Sequence, residues 1–191
     1  MAAGNGAAMR IAPLAFFLDP NTMGDRRLLR DVCRITHKND EAFVGALAVV
    51  VAIRTVISGT WDWVGSLLDH VATTLPDSSV RDRCFELAKL PPDASLVDVG
   101  QQFGCTGYVV ESVPYALYGV QRIATNGFGS VLEQIISAGG DTDTNASIAG
   151  QVAGAWLGIG GIPMALIQRL SDSQSVLETA RQIATMVPAD T

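Results

Sequence analysis

Residues 139–158 read Gly-Gly-Asp-Thr-Asp-Thr-Asn-Ala-Ser-Ile-Ala-Gly-Gln-Val-Ala-Gly-Ala-Trp-Leu-Gly. A glycine pair precedes two carboxylates, Asp141 and Asp143, then a hydroxyl at Thr144 and a run of small residues. Ala146, Ala149, Gly150, Ala153 and Gly154 have the spacing of a tightly packed helix. Its first turn is where unpaired backbone N–H groups favour negative charge. Two readings of the aspartates stand side by side. Asp and Thr are ordinary N-caps after a glycine loop. Carboxylate and hydroxyl oxygens are equally the hard ligands of magnesium, manganese or calcium, and the glycines let both carboxylates turn into one small volume.

Helical period dominates the rest of the chain and strand alternation is nearly absent. The pattern predicts a first helix over about 25–35 with Leu28, Leu29, Val32 and Ile35 on one face. A second, capped by Asn39 or Asp40, passes through Phe43, Leu47, Val50 and Val51 and stops at Gly59. A third spans 61–75 with Val64, Leu67, Leu68 and Val71 inward, and a fourth runs from Ser78 or Ser79 towards Leu90. Pro91-Pro92-Asp93 opens an irregular stretch to Gly107. Helices over 108–124, with Pro114 forcing a late start or a kink, and over 128–137 follow, then the acidic motif and a small-residue helix ending near Gly158. A short helix from Pro163 to Leu170 and a last one from Ser173 to Met186 complete an all-α, compact multi-helix bundle.

At 191 residues the chain reads as one domain with a proper core, being 48% hydrophobic and only 17% charged. The net charge of −6 and the scattered Lys and Arg argue against nucleic acid and against an anionic membrane surface as partners. Cys33, Cys84 and Cys105 show neither ligand pairing nor a disulfide framework, and read as buried, reduced thiols of a cytoplasmic protein. No signal peptide is visible, and the apolar stretch from Ala46 to Ile53 is too short to span a bilayer. Gly150 and Gly154 are expected to serve close helix packing. Of the tryptophans, one of Trp61 and Trp63 is expected in the core, and Trp156 is spaced as a core anchor.

Three further segments join the 139–158 block in an order that carries a resemblance. They are Gly4-Asn5-Gly6-Ala7-Ala8-Met9-Arg10-Ile11-Ala12-Pro13, then Thr36-His37, then Gly107-Tyr108-Val109-Val110-Glu111-Ser112-Val113-Pro114 with Ala116-Leu117-Tyr118 behind it. In this order they resemble the ADP-ribosylglycohydrolase family over nearly the whole chain. The resemblance implies a hydrolase that removes ADP-ribose from a modified protein side chain or small acceptor at the ribose C1″ bond. It also implies two magnesium or manganese ions. Asp141, Asp143 and Thr144 are the implied metal ligands. Gly4, Asn5, Gly6 and Ala7 form the implied phosphate-side loop, His37 lies near the phosphates, and Gly107 and Tyr108 lie near the adenosine half. The four loops are then expected to converge at one end of the bundle.

From the residues themselves, Arg10 is favoured as structural, Tyr108 as core, Glu111 as a structural carboxylate and His70 as a surface or groove residue. The family's N-terminal Thr-Asp-Asp-Thr string and its early acid/base glutamate are not found here. The chain is therefore expected to be the C-terminal part of the family domain, N-terminally truncated, with half the metal ligands and with apolar surface that invites self-association. The alternative is a catalytically incomplete remnant that acts as an ADP-ribose-binding or structural protein.

Overall fold

Side-chain caps decide where most of the early helices begin. In the computed structural model, which describes residues 3–61, 65–91 and 93–188, Thr22 accepts from the Asp25 amide to start α1 (Met23–Arg34). Asn39 does so for α2 (Asp40–Ile57), Ser66 for α3 (Leu67–Thr74), Ser78 for α4 (Ser79–Ala88) and Ser95 for α5 (Leu96–Phe103). Each cap satisfies one of the N–H groups a helix leaves open. α6 (Val109–Val120), α7 (Ile123–Asn126), α8 (Phe128–Ser137), α9 (Thr142–Gly161), α10 (Met164–Arg169) and α11 (Ser173–Met186) follow, and two 3₁₀ turns, Ala8–Arg10 and Ala12–Phe16, precede α1. The described residues contain no strand; the fold is all-α.

α2 is the axis of the bundle. Its residues from Ala42 to Ile53 are all buried, as a helix apolar all round requires, and α1, α3, α4, α6 and α9 pack around it. α6 is the second central helix, with every residue but Glu111 buried. The two meet at Gly45, where an added Cβ would strike the Val109 Cγ2 methyl and lie 3.4 Å from Val113 Cγ2. Gly45→Ala should therefore cost about 1–3 kcal/mol by overpacking. A urea-unfolding midpoint equal to that of the parent chain would refute this contact.

Several sequence expectations are corrected. α5 occupies the stretch expected to be irregular, because Ser95 caps Asp98 and buries Leu96 and Val99. α3 begins at Leu67 and not at Trp61, because Ser66 is the cap; Asp62, Trp63 and Val64 lie outside the described residues. On α1 the inward pair is Leu29 and Cys33, one turn apart, while Leu28 and Ile35 are exposed. The close-packing role goes to Gly45; Gly150 has nothing near it, and Ala149 and Ala153 form the buried face of α9. Trp61 is buried, whereas Trp156 is half-buried against the core. α9 breaks at Gly158, the expected end, where φ is 62°. Beyond it α10 and α11 bury no side chain, and Met164, Leu170, Val176 and Met186 are exposed. No helix among the described residues is long and apolar enough to cross a membrane.

Candidate functional site

Segments from the N-terminal, middle and later parts of the sequence meet at one end of α2. Gly4 pairs with Tyr108 in an isolated antiparallel bridge. The Asn5 amide donates to the Gly107 carbonyl at 3.1 Å, and the Val109 amide to the Ala3 carbonyl at 2.9 Å. The Gly4–Gly6 loop and the Gly107–Tyr108 loop are thus stitched by backbone bonds. His37, just before α2, lays its imidazole against them; an added Cβ on Gly6 would lie 3.0 Å from Nε2.

The acidic loop joins the same cluster through one carbonyl. Cys105 O accepts from the Asp141 amide at 2.9 Å and from Asn145 Nδ2 at 2.6 Å. Asn145 is fully buried, and this bond fixes the first turn of α9 to the loop ahead of α6. Asn5 completes the link, its Nδ2 donating to Asp141 Oδ2 at 2.8 Å. The Gly4–Gly6, His37, Gly107–Tyr108 and Asp141–Thr144 segments therefore do converge.

Individual side chains divide into those that build the site and those that face outward. Asn5 is buried with its amide committed to Asp141, so its side chain positions the carboxylate and is not free for a phosphate. Ala7 is buried, which leaves the backbone of its loop as the part that can face a ligand. Arg10 donates to Thr36 Oγ1, which contacts His37 Nδ1 at 2.8 Å. Thr36 can accept from Arg10 and hand its own proton to Nδ1, leaving His37 Nε2 as a donor beside Gly4 and Gly6. Arg10 is structural, as the residues suggested. Glu111 is structural too, its Oε2 accepting from the Thr106 hydroxyl at 2.6 Å and the Thr106 amide at 3.1 Å.

Tyr108 departs from expectation: it is 44% exposed and not in the core. As the residue ahead of α6 it lies off the helix's buried face, and its ring is open beside Gly107. Cys105 and Asn145 were not singled out in the sequence. The first acts through its backbone, which leaves no mark in sequence; the second could have been found as a polar residue on the buried face of an otherwise small-residue helix.

The electrostatics agree with this geometry. The Asn5 amide holds the Asp141 carboxyl below the ordinary carboxylate range, with Asp143 and Thr144 adding to the effect and burial opposing it. A group whose folded pKa is depressed contributes stability that is present above its unfolded value, ~3.9, and is lost as pH falls through the folded value. Asn5→Ala should raise the Asp141 pKa towards that ordinary value and shrink the acid-side loss of stability. An unmoved carboxyl titration by NMR would show that Asn5 is not what holds it. The thiols are inert by contrast: burial raises Cys33 to about 11 and Cys84 to about 12, and raises Cys105 as well, with Glu111 adding to it.

Asp141 occupies the N-cap position of α9 but makes no side-chain cap bond. Asp143 Oδ1 accepts only from the adjacent Thr144 amide, at 2.9 Å. Asp141 is thus held mainly by Asn5, with the Thr144 amide and hydroxyl contributing more weakly. Around it stands a set of hard oxygens: both carboxylates and the Thr144 hydroxyl, close enough that Asp143 and Thr144 also act on the Asp141 carboxyl. In the same turn, Asn145 Oδ1 is buried without a hydrogen-bond donor among the described residues. The donor type fits a hard divalent cation. The carboxylates gathered here are two, and no third His, Cys, Asp or Glu joins them among the described residues.

The family model for ADP-ribosylglycohydrolase matches residues 1–190. The chain belongs to the ADP-ribosylglycohydrolase family. It is 25% identical to the ADP-ribosylarginine hydrolase Tri1 of Pseudomonas putida over 193 residues, covering 97% of this chain and 47% of that protein. It is 28% identical to the ADP-ribosylhydrolase ARH3 of Homo sapiens over 84% of this chain and 52% of that one. The ADP-ribosyl-[dinitrogen reductase] glycohydrolase of Rhodospirillum rubrum is also 28% identical, over 95% of this chain and 55% of its own. The chain thus spans about half the length of the curated relatives it matches. These ADP-ribosylglycohydrolase relatives are hydrolases by name, which agrees with the class the four segments implied.

Proposed function

We propose that this chain serves the metal-dependent hydrolysis of ADP-ribose from a modified protein side chain or small acceptor. The observation that carries the reading is the meeting of Asn5, Gly107 and Asp141 through direct bonds, with Asp143 and Thr144 in the helical turn that Asp141 opens. Asp141, Asp143 and Thr144 would hold one flank of a magnesium or manganese ion. When bound, such an ion orients vicinal ribose hydroxyls and acidifies a nearby water. Each protein group then has a defined task. Asn5 fixes the Asp141 rotamer, so that its second oxygen is presented without reorganisation. His37 Nε2 and the Gly4–Gly6 backbone offer donors on the pyrophosphate side, and the open Tyr108 ring offers a stacking face for the adenine.

In the reaction, water adds to C1″, the bond from C1″ to the acceptor breaks, and the acceptor leaves with a proton. No residue of this chain is assigned as the acid or base of that step. The second reading is a protein that binds ADP-ribose without turnover, and the two-carboxylate count favours it. Incubating the full chain with an ADP-ribosylated protein and magnesium or manganese separates the two. Release of free ADP-ribose supports the hydrolase. Calorimetric binding of ADP-ribose without release supports the binding protein, and the absence of both would overturn either reading.

A further inference from the structure

All the buried and half-buried arginines except one are answered within the fold. Arg26 donates to the carbonyls of Pro20 and Thr74, Arg81 pairs with Asp77 and Asp82, Arg83 with Glu86, and Arg122 with the Tyr118 hydroxyl. The side chain of Arg54, half-buried in the last turn of α2, has no hydrogen bond, ion pair or ring contact among the described residues. A guanidinium half-removed from water gains most from a planar oxyanion partner, and none bonds it among the described residues.

Arg54 lines a cavity of about 450 Å³ whose walls include Asp19, Ser58, Thr60, His70 and Thr74. This cavity lies at the far end of α2 from the site above; Asp40 and Arg54 are separated by about 21 Å of helix at 1.5 Å per residue. The helix dipole alone favours a cation in a last turn. That role needs no cavity, no neighbouring imidazole and no opposed carboxylate, all of which are present here.

The walls are chemically divided. Arg54 and His70 offer N–H donors. Ser58 Oγ and Thr60 Oγ1 stand 3.0 Å apart, and each lies 3.3 Å from the Thr55 carbonyl. Their protons are used on that carbonyl or on each other, so towards a ligand both hydroxyls present lone pairs. Asp19 accepts from the Asn21 amide at 2.9 Å through one oxygen, which leaves the other as a strong acceptor. A ligand that satisfies both walls carries an oxyanion at one end and several hydroxyl donors at the other. The volume is in the range of small-molecule sites.

We propose that this cavity is a second binding site, for a small phosphorylated sugar whose phosphate meets Arg54 and His70 and whose hydroxyls meet Asp19, Ser58 and Thr60. The site is independent of the hydrolase reading and stands or falls separately. The test titrates the full chain with glucose 6-phosphate while amide NMR signals are followed, with inorganic phosphate and glucose as comparison probes. Saturable shifts are expected at the end of α2 and the start of α3, with glucose 6-phosphate tighter than either comparison probe. Arg54→Gln should weaken binding at least about tenfold, the worth of a hydrogen bond to a charged group, whereas Asp143→Asn should leave it unchanged.

Since the Arg54 side chain has no partner among the described residues, its replacement should also move the melting temperature little. Should that variant fold poorly, His70→Gln, at an exposed position, tests the same wall. Equal affinity for inorganic phosphate would overturn the sugar assignment. The absence of saturation, or unchanged binding in both Arg54→Gln and His70→Gln, would overturn the site.

Discussion

Gly140→Ala is expected to destabilise the chain by about 3 kcal/mol, from two separable sources. Gly140 has φ of 69°, a left-handed conformation that costs an L-residue about 1–2 kcal/mol. An added Cβ would also run into the Cys105 carbonyl oxygen and lie 2.8 Å from the carbonyl carbon. That carbonyl cannot withdraw without breaking its bonds from the Asp141 amide and Asn145 Nδ2, so overpacking adds about 1–3 kcal/mol. Gly139→Ala is the control. Its φ of 84° is also left-handed, yet nothing lies within 4 Å of the added carbon. Urea unfolding should show the conformational cost alone for Gly139→Ala and the larger sum for Gly140→Ala. Equal losses would mean that the Cys105 carbonyl does not confine the loop.

Asp141→Asn and Asp143→Asn should each weaken magnesium or manganese binding by about thirtyfold. A unit charge about 4 Å from a divalent ion is worth roughly 2 kcal/mol even at the dielectric of water. Asparagine keeps an Oδ1 acceptor in the same place, so Asp143→Asn should barely affect the fold, whereas Asp141→Asn also gives up the stability that the depressed carboxyl supplies. Asp141→Asn carries a further mark: a side-chain amide that faces Asn5 Nδ2 through its own NH₂ breaks the 2.8 Å bond, so the amide must flip and give up an oxygen. Isothermal titration with the metal, alongside thermal melts, reads both effects. Unchanged affinity in both variants would remove the cation from the site, and the hydrolytic reading with it.

The fold was legible wherever a cap and a period coincide. Asn39 and Ser78 each precede an amphipathic or wholly apolar run, and α2 and α4 begin where those residues predict, whereas α1 begins at Met23, ahead of the expected 25, because Thr22 caps it. α5 was hidden because Pro91 and Pro92 ahead of it and Gly100 and Gly104 within or behind it read as loop, although Ser95 and Asp98 carried the cap signal. The site was legible as four segments in order, but not as a bonded unit. Asn5 looked like a ligand donor because its partner is 136 positions away, a separation no local pattern can express. Tyr108 was misplaced for a related reason: helical periodicity assigns faces only within a helix, and this residue stands one position outside α6.

That same 136-residue separation has a kinetic meaning. Closing a chain segment of this length costs conformational entropy before any bond across it forms. The helices of the bundle can form and dock through nearer contacts, whereas the pairing of residue 5 with residue 141 requires that everything from the first loop to the start of α9 be in place. In refolding from denaturant, substitutions at Asn5 and Asp141 should therefore accelerate unfolding and leave the folding rate nearly untouched, with φ-values close to zero.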